Sequence, residues 1–216
     1  MIRAFIFDLD GTLVDTEILW VRAFETYLHD KGLPISHAES LDILYGKSWH
    51  DVYAEARKRF PALTPGIGEM EAELQAYFDR ERAKGDVRIH GSITLLKRLA
   101  ATHPVCIVSG SPRENLTAEI EKIGVGPHLA FFLASGDYSP GKPDPACFLL
   151  AAERLGVPPE DCVVFEDSAA GIRAAKRAGM RAVALARPSG PDQDFSEADL
   201  VLDSLDKFSP EAFNAA

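Results

Sequence analysis

Five short apolar runs set the narrowest limit on what this chain can fold into. Residues 4–7, 105–108, 131–134, 163–165 and 181–185 are each bounded by turn or polar residues. All are too short for a helix, so each reads as a buried strand. Helical patterns at 93–101, 112–123, 145–155 and 169–178 precede the last four in turn. Gly124, Gly156 and Gly179 follow three of these segments closely as stop signals, and Asp144-Pro145 reads as an N-cap followed by a proline in the first turn. Such alternation implies an α/β fold, a doubly wound parallel sheet covered by helices on both faces.

The stretch 16–86 breaks that rhythm. It holds no convincing strand and several helical patterns: Trp20, Phe24, Tyr27 and Leu28 share one face, as do Met70, Leu74, Tyr77 and Phe78. Ala62-Leu63-Thr64-Pro65-Gly66 reads as a loop between them. The expected organisation is an α/β core of residues 1–15 and 87–216, with an all-helical cap of residues 16–86 inserted after the first strand.

Composition narrows the partners. The 216 residues are 46% hydrophobic and 26% charged, enough to bury a core and remain soluble. A formal net charge of -10, with no lysine or arginine cluster, argues against nucleic acid, whose backbone requires a basic face. The apolar start at Met1 is too short for a signal peptide or a membrane span. Cys106, Cys147 and Cys162 form no Cys-x-x-Cys pair, which suits a reducing cytoplasm. No feature demands an assembly, so a cytoplasmic monomer with no membrane partner is the expectation.

In parallel α/β sheets, ligands bind beyond the carboxyl ends of the strands. Asp8 and Asp10 follow the first expected strand, Ser109 and Gly110 the second, and Glu166 and Asp167 the fourth, while Lys142 lies in the loop after the third. Taken singly, each has an ordinary explanation: a turn, a helix cap, a solvated lysine. Together they bring acids, a hydroxyl and a cation to one edge. Hard carboxylate oxygens suit Mg2+, and a carboxylate can attack phosphorus to form an acyl-phosphate. Lys142, the Ser109 hydroxyl and backbone N–H groups such as that of Gly110 can then hold the transferring group. One further acid must protonate the leaving oxygen and later activate water. Asp8 and Asp10 are two residues apart, Gly11 permits the chain to turn after the strand, and the pattern leaves open which of the two attacks.

The motifs resemble those of the haloacid dehalogenase superfamily, in the subgroup of phosphatases and β-phosphoglucomutase-like enzymes with a Rossmann-like core and a helical cap. Asp8-Leu9-Asp10-Gly11-Thr12-Leu13-Val14-Asp15-Thr16-Glu17 is similar to the first motif, and Ile107-Val108-Ser109-Gly110-Ser111 to the second. Gly141-Lys142-Pro143-Asp144-Pro145 matches the third, and Val164-Phe165-Glu166-Asp167-Ser168-Ala169-Ala170-Gly171-Ile172 the fourth. The resemblance implies Asp8 as nucleophile and metal ligand, and Asp10 as acid/base with its carbonyl on the metal. Ser109 and Lys142 would hold the phosphoryl group, and Asp167 would bind Mg2+ with Glu166 assisting. The cap loop Tyr45-Gly46-Lys47-Ser48-Trp49-His50 sits where relatives carry a substrate loop, which makes Lys47, Trp49 and His50 candidate specificity residues.

The expected activity is Mg2+-dependent hydrolysis of a small phosphorylated metabolite, such as a sugar phosphate, through an aspartyl-phosphate. A mutase is the alternative. The β-phosphoglucomutases carry a lysine and an arginine where this chain has Tyr45 and Trp49, so a second phosphate has less to hold it. A dehalogenase would need neither the second acid nor a metal, and a signalling receiver would lack the helical insert. A non-catalytic homologue would have lost one of Asp8, Asp10, Lys142 or Asp167.

Overall fold

A computed structural model describes residues 1–44, 49–187 and 193–213. It contains one six-stranded sheet in the order β3-β2-β1-β4-β5-β6, formed by β1 (Ala4–Phe7), β2 (Val105–Val108), β3 (Phe131–Leu133), β4 (Cys162–Glu166), β5 (Arg181–Leu185) and β6 (Leu200–Leu202). Every pairing is parallel. Strands β2 and β3 lie on one side of β1, and β4, β5 and β6 on the other, so the order reverses between β1 and β4. That reversal opens a crevice at the strands' carboxyl ends. The sheet has one strand more than the sequence pattern predicts. Leu200–Leu202 lies at the edge with Val201 exposed, and its apolar run is only three residues long between Asp199 and Asp203, too brief to stand out as a strand. Its place is set by its neighbour: the Ala186 N–H donates to the Leu202 carbonyl at 2.8 Å, and the Asp199 carboxylate accepts the Ala182 N–H at 2.7 Å.

The chain divides into two compact units, one built on Met1–Val14 and most of the chain from Arg88 onward, the other on Asp15–Val87. The second is helical: α1 (Thr16–Asp30), α2 (His37–Leu44), α3 (Trp49–Arg59) and α4 (Ile67–Lys84). Its core gathers Phe24, Tyr27 and Leu28 from α1, Ile43 from α2, Val52 and Ala56 from α3, and Met70 and Leu74 from α4. Trp20 stacks on Phe78 with ring centroids 4.2 Å apart, and Tyr27 meets Tyr77 edge-on at 5.7 Å.

In the sheet unit, period-two alternation sorts side chains that are all apolar into two cores. Phe5, Phe7, Val105, Ile107, Val163, Phe165, Val183 and Leu185 face α5 (His90–Ala100) and α6 (Arg113–Ile123). Ala4, Ile6, Cys106, Val108, Val164, Ala182 and Ala184 face α7 (Ala146–Leu155) and α8 (Ala169–Arg177). All three cysteines are free and buried on this second side. Both prolines expected inside helices stand just outside them: Pro112 and Pro145 are N-cap residues. Pro145 has no N–H, but its carbonyl accepts the Phe148 and Leu149 amides at 3.0 Å each, and Asp144 Oδ1 accepts the Ala146 N–H at 3.0 Å. Among the described residues no helix is long and apolar enough to cross a membrane.

Phe165 anchors the larger core, stacked on Phe7 at 4.5 Å and met edge-on by Phe208 at 4.9 Å. Phe165→Ala is expected to cost about 3–5 kcal/mol, read by urea unfolding. Val201→Ala on the exposed edge should stay within about 0.5 kcal/mol.

Candidate active site

The crevice between β1 and β4 is where the acids gather. The Asp8 N–H donates to the Phe165 carbonyl at 2.9 Å, extending the β1–β4 ladder one residue past the strand. The chain then turns sharply: the Leu9 carbonyl accepts the amides of Thr12, Leu13 and Val14, and Gly11 adopts φ 82°. This left-handed turn is open to glycine and costly for other residues. Gly11 is required for space as well, because a Cβ there would stand 1.9 Å from Asp167 Oδ2. Gly171 meets the same demand from the other acid, since its Cβ would fall 1.8 Å from Glu166 Oε1. The two glycines let the acidic pair after β4 lie directly against the backbone.

Asp8, Glu166 and Asp167 are all buried, and each offers a carboxylate oxygen within 4.8 Å of the others'. Lys142, with a side chain 13% exposed, reaches into them. Its ammonium donates to Asp8 Oδ1 at 2.5 Å, to Glu166 Oε1 at 2.6 Å and to the Val108 carbonyl at 3.3 Å. Glu166 Oε2 accepts the N–H and hydroxyl of Ser168 at 2.9 and 2.8 Å, while Thr12 donates to Asp167 Oδ1 at 3.4 Å. Ser168 has a second duty as the N-cap of α8, its Oγ accepting the Gly171 N–H at 3.0 Å.

Asp10 stands apart from that trio. Its Oδ2 accepts the hydroxyls of Ser111 at 2.6 Å and Ser109 at 3.3 Å, which ties the turn after β1 to the end of β2. Ser109 Oγ also accepts the Ser111 N–H at 3.0 Å, and the Ser109 carbonyl accepts the Tyr138 hydroxyl at 2.9 Å. Thr12, Ser111 and Tyr138 are site residues that sequence reasoning missed. Ser111 lies two residues beyond Ser109 and carried a usable signal; Tyr138, in the loop after β3, carried none.

The electrostatics are lopsided. Burial pushes the Asp8 carboxyl well above the usual carboxylate range; Lys142 pulls against this, and Glu166, Asp167 and Asp10 add to it. For Lys142, burial works to lower the ammonium, yet Asp8 and Glu166 together hold it well above the usual lysine range. Among the described residues, four carboxylates and a single ammonium leave a deficit of positive charge. Hard oxygen donors in that state suit a divalent cation such as Mg2+.

A model of the haloacid dehalogenase-like hydrolases matches residues 2–179. The chain belongs to this family. Among its curated relatives is validoxylamine A 7'-phosphate phosphatase of Streptomyces hygroscopicus subsp. limoneus, 31% identical over 210 residues and covering 95% of each chain. Hexitol phosphatase A of Escherichia coli is 32% identical over 214 residues, covering 96% of this chain and 93% of the relative. Among solved structures, a haloacid dehalogenase-like protein of unknown function from Agrobacterium tumefaciens superposes with a TM-score of 0.81 at 27% identity, covering 100% and 99% of the two chains.

Of the expected cap residues, Lys47 lies outside the described residues, with the rest of 45–48. Trp49 packs partly buried against the helical unit's own core, its indole N–H without a partner among the described residues, and His50 is exposed.

Gly11→Ala is expected to destabilise the fold by at least about 1–2 kcal/mol, from the left-handed backbone alone. It should also displace the Asp167 carboxylate. Denaturant unfolding and Mg2+ titration of the same variant would read the two effects separately.

Proposed function

We propose that this hydrolase is a Mg2+-dependent phosphatase that acts on a small phosphorylated metabolite, a sugar phosphate or similar compound, through an aspartyl-phosphate on Asp8. One observation carries the reading. Buried Asp8 lies against Lys142 and two further acids at the switch point of the sheet, while a second aspartate is held apart by hydroxyls.

Either Asp8 or Asp10 has the chemistry to attack, and their surroundings separate them. Asp8 lies in the cationic part of the site, where Lys142 would also meet the transferring phosphoryl oxygens. In the first step an Asp8 carboxylate oxygen bonds to phosphorus, and the bond from phosphorus to the leaving oxygen breaks. Asp10, half-buried and presented by Ser109 and Ser111, gives that oxygen its proton. In the second step Asp10 takes a proton from water, the water oxygen bonds to phosphorus, and phosphate leaves with Asp8 restored. Ser109, Lys142 and the Gly110 N–H would hold the phosphoryl oxygens throughout. Asp8 and Asp167 would hold Mg2+, together with the Asp10 carbonyl and with Glu166 assisting. The ion would supply neutralising charge for the phosphoryl oxygens and favour ionised Asp8. Glu166 has a further task in holding Lys142 and Ser168.

Two relatives support the substrate class: one is a hexitol phosphatase, another a phosphatase of validoxylamine A 7'-phosphate. The helical unit Asp15–Val87 is the natural seat of selectivity, with Lys47, Trp49 and His50 as its candidate residues.

Phosphate release from an aryl phosphate should require Mg2+ and stop on addition of a chelator. Asp8→Asn should abolish it, whereas Asp10→Asn should lower kcat by about 10²–10⁴-fold; turnover that survives in Asp8→Asn would remove Asp8 as the nucleophile. On a hexose 1-phosphate, free phosphate is the expected product. Accumulation of the 6-isomer instead would make the enzyme a mutase.

A further inference from the structure

The Ser109 backbone is fastened through its N–H by the sheet and through its carbonyl by a single phenol. The Ser109 N–H donates to the Leu133 carbonyl at 3.0 Å, as a ladder bond of β2 with β3. The Ser109 carbonyl lies beyond the ladder, where its partner is the Tyr138 hydroxyl at 2.9 Å. That carbonyl shares a rigid plane with the N–H of Gly110, and in a trans peptide the two point in opposite directions. A peptide followed by glycine turns over more readily than most, because glycine accepts backbone angles on either side. No partner for the Gly110 N–H is found among the described residues.

Tyr138 is itself held in place. Its neighbour Asp137 accepts the Ala134 N–H at 2.8 Å and the Arg113 guanidinium at 2.6 Å, and the Ser135 N–H donates to the Ser111 carbonyl at 3.0 Å. The loop after β3 is thus tied to the end of β2 and the start of α6 at three points, and the Tyr138–Ser109 bond is one of them. Burial pushes the Tyr138 phenol up to about 12, so its hydroxyl stays a donor across the neutral range.

We infer that Tyr138 is a positioning residue: by pinning the Ser109 carbonyl it aims the Gly110 N–H at the phosphoryl oxygens and keeps the Ser109 hydroxyl against Asp10. This rests on the phosphatase reading for its kinetic consequence and on phosphate binding alone for its structural one.

The test is Tyr138→Phe, which removes one hydroxyl and retains the ring. With an aryl phosphate and saturating Mg2+, kcat should fall about tenfold to a hundredfold, the scale of a slightly misplaced or partly lost donor. KM should change far less, and Tm should fall by no more than about 4 °C. Calorimetric titration with inorganic phosphate should show weaker binding by the variant. Equal kcat and equal phosphate affinity in the two proteins would overturn the inference, as would a kcat loss that merely follows a lowered folded fraction. A wild-type chain that binds phosphate more tightly than the variant but turns nothing over would overturn the phosphatase reading and leave the role of Tyr138 standing. A wild-type chain that does neither would overturn both.

Discussion

The parallel pairing of Ala4–Phe7 with Cys162–Glu166 is the constraint on which the rest of the structure depends. With Phe7 opposite Phe165, the chain leaves both strands at the same level, and Asp8 comes beside Glu166 and Asp167. The register is held by the aromatic side chains it aligns, since Phe7 and Phe165 stack within the larger core. A slip of one residue would turn those rings to the opposite face of the sheet and separate the acids. Core packing and placement of the site are therefore one requirement.

That placement works against folding. Three buried carboxylates within 4.8 Å repel one another, and each has lost much of its hydration. Lys142 offsets part of the cost by donating to two of them, Thr12 and Ser168 supply hydroxyls, and Gly11 and Gly171 remove the side chains that would collide with them. The residual charge deficit is a reason for a cation rather than a defect. The same imbalance that raises Asp8 without a metal makes the pocket attractive to one, and binding energy spent there is available to hold an anionic substrate.

Much of this was legible before any coordinates. Strands β1 to β5 announced themselves as apolar runs, and the strand-end rule gathered Asp8, Asp10, Ser109, Lys142, Glu166 and Asp167 without reference to contacts. The misses have physical causes. The strand Leu200–Leu202 is half exposed and its apolar run is only three residues long, too brief to be told from a loop. Pro112 and Pro145 sit just before their helices because capping depends on which carbonyls and side chains happen to be near, not on the proline alone. Tyr138 reads as an ordinary loop aromatic until its hydroxyl is seen on the Ser109 carbonyl.

By itself the sequence determined the alternation that makes a parallel sheet, the family, and which residue types stand at each strand end, because these follow from local pattern and chain order. Only the tertiary structure decided how those residues divide their work. Lys142 donates to Asp8 and Glu166, and Asp10 accepts the hydroxyls of Ser109 and Ser111. Such choices are made between side chains up to 134 positions apart. Coulomb energy and hydrogen-bond geometry change steeply with distance, and no local pattern in the chain encodes them.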